Sequence, residues 1–258
     1  MNAAIDAGAL AQRLAQAAAD RRAIPMLTAS EPALDAAAAY RVQRAGIDAR
    51  VAAGDTRIGF KLGLVSRAKQ QAMGVAEPLW GELTAGMLHD EEAPLDVAAL
   101  IHPRVEPEIG FLIRDAIDPQ RASVPTVLAA TEAVFPALEV LDSRYEDFRF
   151  ALPDVIADNA SAASIVLGGR ALTPAALDLQ HEGMVLRRDG EVVDTAAGAA
   201  VAGHPAAAIA WLARVAGGIP GGSIVLSGGL TAPVALDPGT VVTASFTSIG
   251  SVNLRCGD

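Results

Sequence analysis

The chain of 258 residues has a single cysteine, Cys256, and few aromatic residues. One cysteine excludes a disulfide framework, a zinc site built from several thiolates and an iron–sulfur cluster. Aromatic residues make up only 4% of the chain although 52% of it is hydrophobic, so alanine and valine supply much of the apolar content. Because alanine-rich segments bury little area per residue, we expect subunit packing to add to the core, as in a homo-oligomer.

Basic residues and long apolar runs are also scarce. Thirty acidic residues against 20 basic ones give a net charge of −10, and no run of basic residues is present, so nucleic-acid binding is not expected. The apolar stretch Val134–Leu141 is interrupted by Pro136 and Glu139, well short of a membrane span. The N-terminal residues include Asp6 and lack a basic region followed by an apolar one, so we expect no secretory signal and a cytoplasmic protein.

Helical patterns dominate the first part of the chain, and strand patterns dominate the rest. The predicted elements of the first part are a helix over 3–22, a helix from the N-cap Ser30 to Gly54, a strand over 57–64, a short helix from Ser66 to Gly74 and an irregular segment over 75–100. Later elements are predicted strands over 104–113, 133–142, 164–169, 222–230 and 240–255, a hairpin turning at Asp189-Gly190 and a helix over Pro205–Ala216. This order favours an α+β fold with an N-terminal cap over 1–92 and a β-rich core over 93–258.

A pair of glutamates marks the strand predicted over 104–113. Glu106 and Glu108 are two residues apart, so on a strand both carboxylates lie on the same face. Like charges this close repel unless a cation compensates them. An exposed edge strand with two solvated glutamates explains the same pattern, and Pro107 suits an edge.

A third glutamate, Glu139, has apolar neighbours on both sides along the chain. A buried carboxylate has to be neutral, paired or bound to a metal, and an ion pair with Arg144 is the alternative to a metal site. Three glutamates without thiolates favour a hard cation with oxygen ligands, Mg²⁺ or Mn²⁺. The four histidines do not cluster along the chain, so zinc is not expected.

Lys61 and a glycine-rich loop are further candidates for chemistry. Lys61, one of two lysines, lies between Gly59 and Gly63 in an apolar strand, where glycines permit the close approach of a ligand. A buried lysine there would serve in proton transfer or anchor a carboxylate, whereas a surface lysine is the alternative interpretation. The loop Ser227–Thr231 offers backbone N–H groups to an anion, and it lacks the spacing of a dinucleotide-binding motif.

Taken together, the motifs resemble one family. They appear in this order: IGFKLGL at 58–64, GVAEPLWGEL at 74–83, HPRVEPEIGFLI at 102–113, PALEVLDSRYEDF at 136–148, VIADNAS at 155–161, GHP at 203–205 and SGGLTAPV at 227–234. The chain resembles the fumarylacetoacetate hydrolase superfamily, in its branch of 2-oxopent-4-enoate hydratases and 4-oxalocrotonate decarboxylases. The resemblance covers about residues 55–255.

This resemblance implies a fold, a metal and a set of site residues. The implied fold is a mixed β-roll with an N-terminal cap, in a homo-oligomer that acts on a small 2-oxo acid. The implied ligands of one Mg²⁺ or Mn²⁺ are Glu106, Glu108 and Glu139, and Lys61 is the implied active-site lysine. The residues implied to help hold the 2-oxo acid are Ser161, Gly228, Gly229 and Thr231.

Within the branch, residue 79 favours a decarboxylase. Hydratases of this branch carry an aspartate as acid–base partner of the lysine where this chain has Leu79. We therefore expect metal-dependent decarboxylation of 4-oxalocrotonate to 2-hydroxypenta-2,4-dienoate in aromatic meta-cleavage degradation, with Leu79 and Trp80 forming an apolar wall beside the departing carboxylate.

Three other functions stay open at this point. The first is hydration of 2-hydroxypenta-2,4-dienoate, with Glu82 or another carboxylate replacing the missing aspartate. The second is hydrolysis of an acylpyruvate with His102 or His204 as the base, although the proline beside each histidine favours a structural role. The third is a silent partner that stabilises a homologous hydratase in a complex.

Overall fold

The computed structural model describes residues 5–67, 70, 71, 75 and 77–257. The helices are α1 Ala7–Ala19, α2 Leu27–Ser30, α3 Ala36–Ala52, α4 Val124–Ala130, α5 Leu152–Ala157 and α6 Pro205–Ala216. The strands are β1 Arg57–Gly63, β2 Leu79–Thr84, β3 Leu88–His89, β4 Arg104–Ile113, β5 Thr131–Leu141, β6 Ala162–Leu167, β7 Gly183–Arg188, β8 Glu191–Ala197, β9 Ile224–Leu226, β10 Val234–Ala235, β11 Val241–Phe246 and β12 Gly250–Arg255. Much of the short helix predicted from Ser66 to Gly74 lies outside the described residues.

Two helices were predicted at the N-terminal end, and the structure has α1 and α3 there, packed against each other. The side chain of Asp6 caps α1 by accepting a hydrogen bond from the Ala9 N–H. The predicted start of the second helix is wrong: Ser30 ends α2, and α3 begins after Asp35, which accepts from the Ala38 N–H at 2.7 Å. Aspartate satisfies a free helix N–H as well as serine does, and Asp35 stands directly before the alanine run.

The larger sheet has eight strands, in the order β2-β1-β9-β4-β5-β6-β3 with β10 also paired to β4. The pairs β1–β9 and β3–β6 are parallel and the other pairs are antiparallel, so the sheet is mixed. Strands β4 and β5 lie in its middle and are buried along most of their length. The edge-strand alternative for residues 104–113 is therefore wrong.

Pro107 is accommodated in this central strand by a gap in the pairing. The Pro107 carbonyl accepts from the Leu230 N–H at 3.0 Å, in the loop between β9 and β10. In an extended strand the nitrogen and the carbonyl of one residue point to the same side. The proline nitrogen therefore faces a loop, where no ladder hydrogen bond is required.

Residues 79–84 were expected to be irregular, and they form β2. Each residue of β2 is buried, so its sequence Leu-Trp-Gly-Glu-Leu-Thr lacks the alternation that marks a half-exposed strand. Strand β2 pairs antiparallel with β1, with Lys61 opposite Gly81 and Gly63 opposite Leu79.

The smaller sheet has four strands, in the order β12-β11-β7-β8, and packs against β5 and β6. The predicted Asp-Gly hairpin is confirmed: Asp189 and Gly190 have φ of 54° and 85°, as a primed turn requires. The segment 240–255 folds back on itself as β11 and β12 rather than forming one strand.

Helix α6 matches its predicted bounds and contributes residues such as Ile209 and Leu212 to the main core. The segment Gly198–Ala216 is long and apolar enough to cross a membrane by length and composition alone. Packing of α6 in the core accounts for that hydropathy, because core helices of soluble proteins pass the same test.

Helices at one end and two packed sheets make this an α+β fold, as predicted. Strands from both sides of residue 92 belong to the larger sheet, since β1 and β2 join β4 through β9. The division into 1–92 and 93–258 does not separate the sheets, and as a domain boundary it stays a prediction.

Candidate metal centre and active site

Three glutamates meet on one face of the β4–β5 pair. Glu106 lies directly opposite Glu139 in the register, and Glu108 is one step further along β4 on the same face. One carboxylate oxygen of each lies within 4.8 Å of the others, and all three side chains are buried. The spacing of Glu106 and Glu108 predicted their common face, and the strand register adds Glu139.

The electrostatics of this cluster favour a bound cation. Burial, followed by repulsion from Glu139, raises the pKa of Glu108 well above its usual range. Burial also raises the pKa of Glu139, although Lys61 opposes that shift. Glu108 Oε1 and Glu139 Oε2 are buried without a hydrogen-bond partner among the residues that the structure describes. Buried carboxylate oxygens without partners are costly unless a cation binds them, so this oxygen-only donor set fits Mg²⁺ or Mn²⁺.

The glycine-rich loop after β9 holds one of these carboxylates. The Gly228 N–H donates to Glu108 Oε2 at 2.6 Å, so the anion that this loop binds here is the protein's own glutamate. A Cβ at Gly229 would lie 2.3 Å from Glu106 Oε2, so a larger residue there would displace that carboxylate. Thr231 Oγ1 donates to the Ala232 carbonyl at 3.2 Å. A role of Gly228, Gly229 and Thr231 in substrate binding stays a prediction.

Lys61 is a buried partner of this cluster rather than a surface lysine. Its side chain is 2% exposed, with Nζ 2.8 Å from Glu139 Oε1. Nζ also donates to the Ala160 carbonyl at 3.0 Å. The flanking glycines admit protein atoms: a Cβ at Gly59 would overlap the backbone of Ile224 at 1.7 Å, and one at Gly63 would lie 2.9 Å from Leu79 Cδ1. Lys61, and not Arg144, is therefore the ion-pair partner of Glu139.

A left-handed turn over Asn159–Ser161 positions the acceptor of Lys61. All three residues have positive φ, between 51° and 59°, which asparagine tolerates but which is unfavourable for Ala160 and Ser161. The Asn159 side chain exchanges two hydrogen bonds with the backbone of Glu82, at 2.8 and 2.9 Å. These bonds hold the turn against β2 and so fix the Ala160 carbonyl toward Lys61.

A cavity of about 260 Å³ opens beside the glutamates. Its polar lining comes from Lys61, Arg104, Glu106 and Ser161. Its other lining residues are Gly63, Leu64, Leu79, Leu141, Phe148, Phe150, Val155, Ala160, Ala232 and Pro233. A larger cavity of about 590 Å³ lies beside α1 and α3, lined mainly by alanine, glycine and other small or apolar residues away from the three carboxylates, so the smaller cavity is the candidate active site.

Leu79 and Trp80 do not form one wall of this cavity. Leu79 lines it, whereas Trp80 stacks on Tyr40 of α3 with ring centroids 4.9 Å apart and is not among the described lining residues. Adjacent residues of a strand point to opposite faces, so only one of the two can face the cavity. A contact of Trp80 with substrate stays a prediction, without support from the described cavity lining.

Comparisons with known proteins show which family the chain belongs to. Residues 84–256 match the fumarylacetoacetate (FAA) hydrolase C-terminal family. A 4-oxalocrotonate decarboxylase from a Pseudomonas species is 41% identical over 248 residues, which cover 95% of each chain.

The chain belongs to the fumarylacetoacetate hydrolase family.

Other relatives place the chain in one branch of this family. A 2-keto-4-pentenoate hydratase from Paraburkholderia phymatum is 36% identical over 247 residues, 94% of each chain. A solved 4-oxalocrotonate decarboxylase from Pseudomonas putida G7, complexed with magnesium and adipate, is 36% identical with a TM-score of 0.94 and 97% coverage of both chains. The fumarylacetoacetate hydrolase fold is thereby confirmed, and the branch contains both decarboxylases and hydratases.

The residues considered as alternative acid–base groups, Glu82, His102 and His204, bind other parts of the protein. Glu82 lies on the Trp80 face of β2 and pairs with Arg57 at 2.7 Å, so it does not face the cavity. His102 bonds the Ser143 carbonyl at 2.6 Å through a ring nitrogen, and His204 caps α6 by accepting from the Ala206 N–H at 3.0 Å. Neither histidine is among the described lining residues.

Sequence reasoning missed a second buried ion pair and an arginine at the cavity. Arg144 pairs with Asp158 through its Nε and also donates to the backbone around it. Burial raises the pKa of Asp158 to about 6 although Arg144 opposes the shift. Ser161 Oγ donates to Asp158 Oδ2 at 3.4 Å, which links this pair to the cavity wall. The position of Arg104 could have been predicted from the sequence pattern. It lies two residues before Glu106, so it shares the strand face of Glu106 and Glu108.

Proposed function

We propose that this protein is a metal-dependent decarboxylase that converts 4-oxalocrotonate (2-oxohex-3-enedioate) to 2-hydroxypenta-2,4-dienoate and CO₂ in aromatic meta-cleavage degradation. One observation carries the proposal: an apolar side chain, Leu79, lines the cavity near Lys61, at the position where hydratases of this branch carry an aspartate. Apart from the glutamate cluster, no acidic side chain is among the described residues that line the cavity. Addition of water needs such an acid–base group, and loss of CO₂ does not.

The residues present fit the metal that this chemistry needs. Glu106, Glu108 and Glu139 would hold Mg²⁺ or Mn²⁺. When bound, the metal supplies a Lewis acid that withdraws electrons from the 2-oxo group.

The protein's own residues bind and orient the rest of the substrate. As the bond between C5 and C6 breaks, its electrons form the C4–C5 double bond, the C3–C4 electrons move to C2–C3, and the carbonyl electrons move to the oxygen on C2. The ammonium of Lys61, which lines the cavity, would stabilise that oxygen and protonate it. Ser161 lines the cavity and would offer its hydroxyl to the substrate. Leu79 would keep water from the reacting carbons.

Turnover with two substrates tests this proposal. We would supply 4-oxalocrotonate and 2-hydroxypenta-2,4-dienoate separately with Mg²⁺ and follow CO₂ release and the loss of each chromophore. Metal-dependent CO₂ release from the first substrate alone is the expected result. Consumption of the second substrate alone would show a hydratase instead.

Leu79 gives a sharper test within the protein. Replacing Leu79 by Asp should lower CO₂ release by about 10-fold or more, because a carboxylate there repels the anionic substrate and admits water. Leu79→Met, of similar volume, should keep most of the activity, and Leu79→Asn separates polarity from charge. Circular dichroism and Mn²⁺ binding would establish that the variants fold. Unchanged CO₂ release by a folded Leu79→Asp variant would contradict the role given to Leu79.

Hydration of 2-hydroxypenta-2,4-dienoate is the second candidate function. The hydratases at 36 to 38% identity support it, since they are nearly as similar as the decarboxylases. The ion pair of Glu82 with Arg57 argues against it, because that pairing removes the proposed substitute for the missing aspartate.

We also propose that the enzyme is cytoplasmic and works as a homo-oligomer, with a homologous hydratase as a possible further partner in the complex. The valines Val192 and Val193 on the edge strand β8 support assembly, because these apolar residues are 55% and 44% exposed in the isolated chain. Light scattering after size exclusion, alone and with a hydratase, would measure the assembly. A monomer at micromolar concentration would contradict it.

A further inference from the structure

Among the described residues, Arg104 is the cationic residue of the cavity lining that has no ion-pair partner. Lys61, the other cation in the lining, is paired with Glu139. Among the residues that the structure describes, no carboxylate lies within ion-pair distance of Arg104 and no acceptor bonds its guanidinium. A half-buried arginine without a partner, in a cavity with a largely apolar lining, is suited to bind an anion.

The strand register fixes where this cation lies. On the face that carries Glu106 opposite Glu139, the next row outward is Arg104 opposite Leu141. Two residues of a strand span about 7 Å, so Arg104 lies one such step from the metal ligands. That separation suits an extended six-carbon diacid with one end at the metal and the other at the arginine.

Phe148 holds the guanidinium in place. Arg104 Cζ lies 4.1 Å from the centroid of the Phe148 ring, in a cation–π contact. His102 packs on the same ring with centroids 5.0 Å apart. Both Asp147 and Phe148 have positive φ, 56° and 58°, which is an unfavourable conformation for a residue as bulky as phenylalanine. Such local strain is retained where a side chain has to be presented at a particular place.

We propose that Arg104, stacked on Phe148, binds the second carboxylate of a dicarboxylate 2-oxo acid and so selects substrate over product. This inference rests on the proposed function in taking that second carboxylate as the group that leaves as CO₂. The product lacks this carboxylate and loses the contact. An arginine that holds the departing group stabilises the ground state more than the transition state, so its benefit is selection and not rate.

Binding of two six-carbon acids to the Mg²⁺-loaded protein tests the subsite without turnover. The probes are adipate, with two carboxylates, and hexanoate, with one. Calorimetry should show that the unaltered protein binds adipate more tightly than hexanoate. Arg104→Met should weaken adipate binding by about 10- to 100-fold, the loss expected for a charge-assisted hydrogen-bonded pair, and change hexanoate binding by less than about twofold. Arg104→Lys should retain part of the preference.

The control is Arg255→Met, which removes the same charge from an exposed position on β12. It should leave both affinities unchanged, so a general effect of net charge is separated from a local contact. Equal losses for adipate and hexanoate in Arg104→Met, or no preference in the unaltered protein, would overturn the assignment. The unfolding midpoint of each variant checks that it folds.

Steady-state kinetics then separate this inference from the proposed function. With 4-oxalocrotonate, Arg104→Met should raise KM while kcat stays the same or rises, whereas a merely structural role would lower kcat. A fall in kcat with unchanged KM would overturn the inference. If the unaltered protein released no CO₂ yet preferred adipate in an Arg104-dependent way, the proposed function would fail and the carboxylate subsite would stand.

Discussion

Two buried ion pairs lie near each other and differ in how their carboxylates are satisfied. Arg144 and Asp158 form a closed pair: the guanidinium donates to Asp158 and to the carbonyls of Asp142 and Ala162, while both Asp158 oxygens accept hydrogen bonds. Lys61 and Glu139 form an open pair, in which Glu139 Oε2 has no hydrogen-bond partner among the described residues.

The difference separates a structural pair from one prepared for a ligand. The closed pair has its hydrogen-bonding capacity used within the protein, so it fixes the segment between β5 and β6. The open pair leaves oxygens beside those of Glu106 and Glu108, and one bound cation would satisfy them together. A buried ion pair alone therefore does not mark a site; unsatisfied oxygens beside it do.

Breaking the closed pair should have the largest effect on stability. Arg144→Met leaves the Asp158 carboxylate buried without its partner, and we expect a loss of about 3–5 kcal/mol in the free energy of unfolding. Urea denaturation monitored by circular dichroism measures it. Arg149→Met, a matched change at an exposed arginine five residues on, should stay within about 0.5 kcal/mol. Equal stability of the two variants would remove the distinction between the pairs.

The open cluster should respond in the opposite sense. Glu108→Gln removes a buried charge that faces two other glutamates, so the metal-free protein should keep or gain stability. Mn²⁺ binding should weaken by at least about 100-fold, because a neutral amide replaces a charged ligand. Thermal unfolding with and without Mn²⁺ reports both effects. A destabilised metal-free variant would mean that Glu108 is part of a closed structural network.

The smallest effect concerns the pH dependence of stability. Because burial raises the pKa of Asp158 to about 6, above its value in the unfolded chain, this group favours folding below about pH 4. That contribution is lost as the pH rises from about 4 through about 6, and it amounts to on the order of 3 kcal/mol. The pH profile of unfolding in Asp158→Asn should lack this decline between about pH 4 and 6. The same decline in both proteins would assign it to other groups.

The site could be predicted from the sequence where the alternation of side chains between the two faces of a strand decides a position. The two-residue spacing of Glu106 and Glu108 predicted a common face, and extended one step back it also reaches Arg104. The same alternation of faces would have separated Leu79 from Trp80, but β2 was not recognised as a strand. A strand buried on both faces does not show alternating apolar and polar residues.

The partners of these residues could not be predicted, because they depend on strand register and on distant turns. The pairing of Glu106 with Glu139 depends on the register between β4 and β5, which the sequence of either strand does not contain. Asp158 and Asn159 lie in a turn whose left-handed conformation no local pattern indicates. Ser30 was the predicted helix cap, whereas Asp35, directly before the alanine run, caps α3.

The left-handed turn at Asn159–Ser161 also bears on the order in which the molecule assembles. It joins Lys61 to Ala160 across 99 positions of the chain and β2 to Asn159 across 77. Contacts so far apart in sequence form only after much of the chain has collapsed, because closing a long loop is entropically costly. We therefore expect Lys61 to gain its fixed position late in folding, after helices and hairpins have formed.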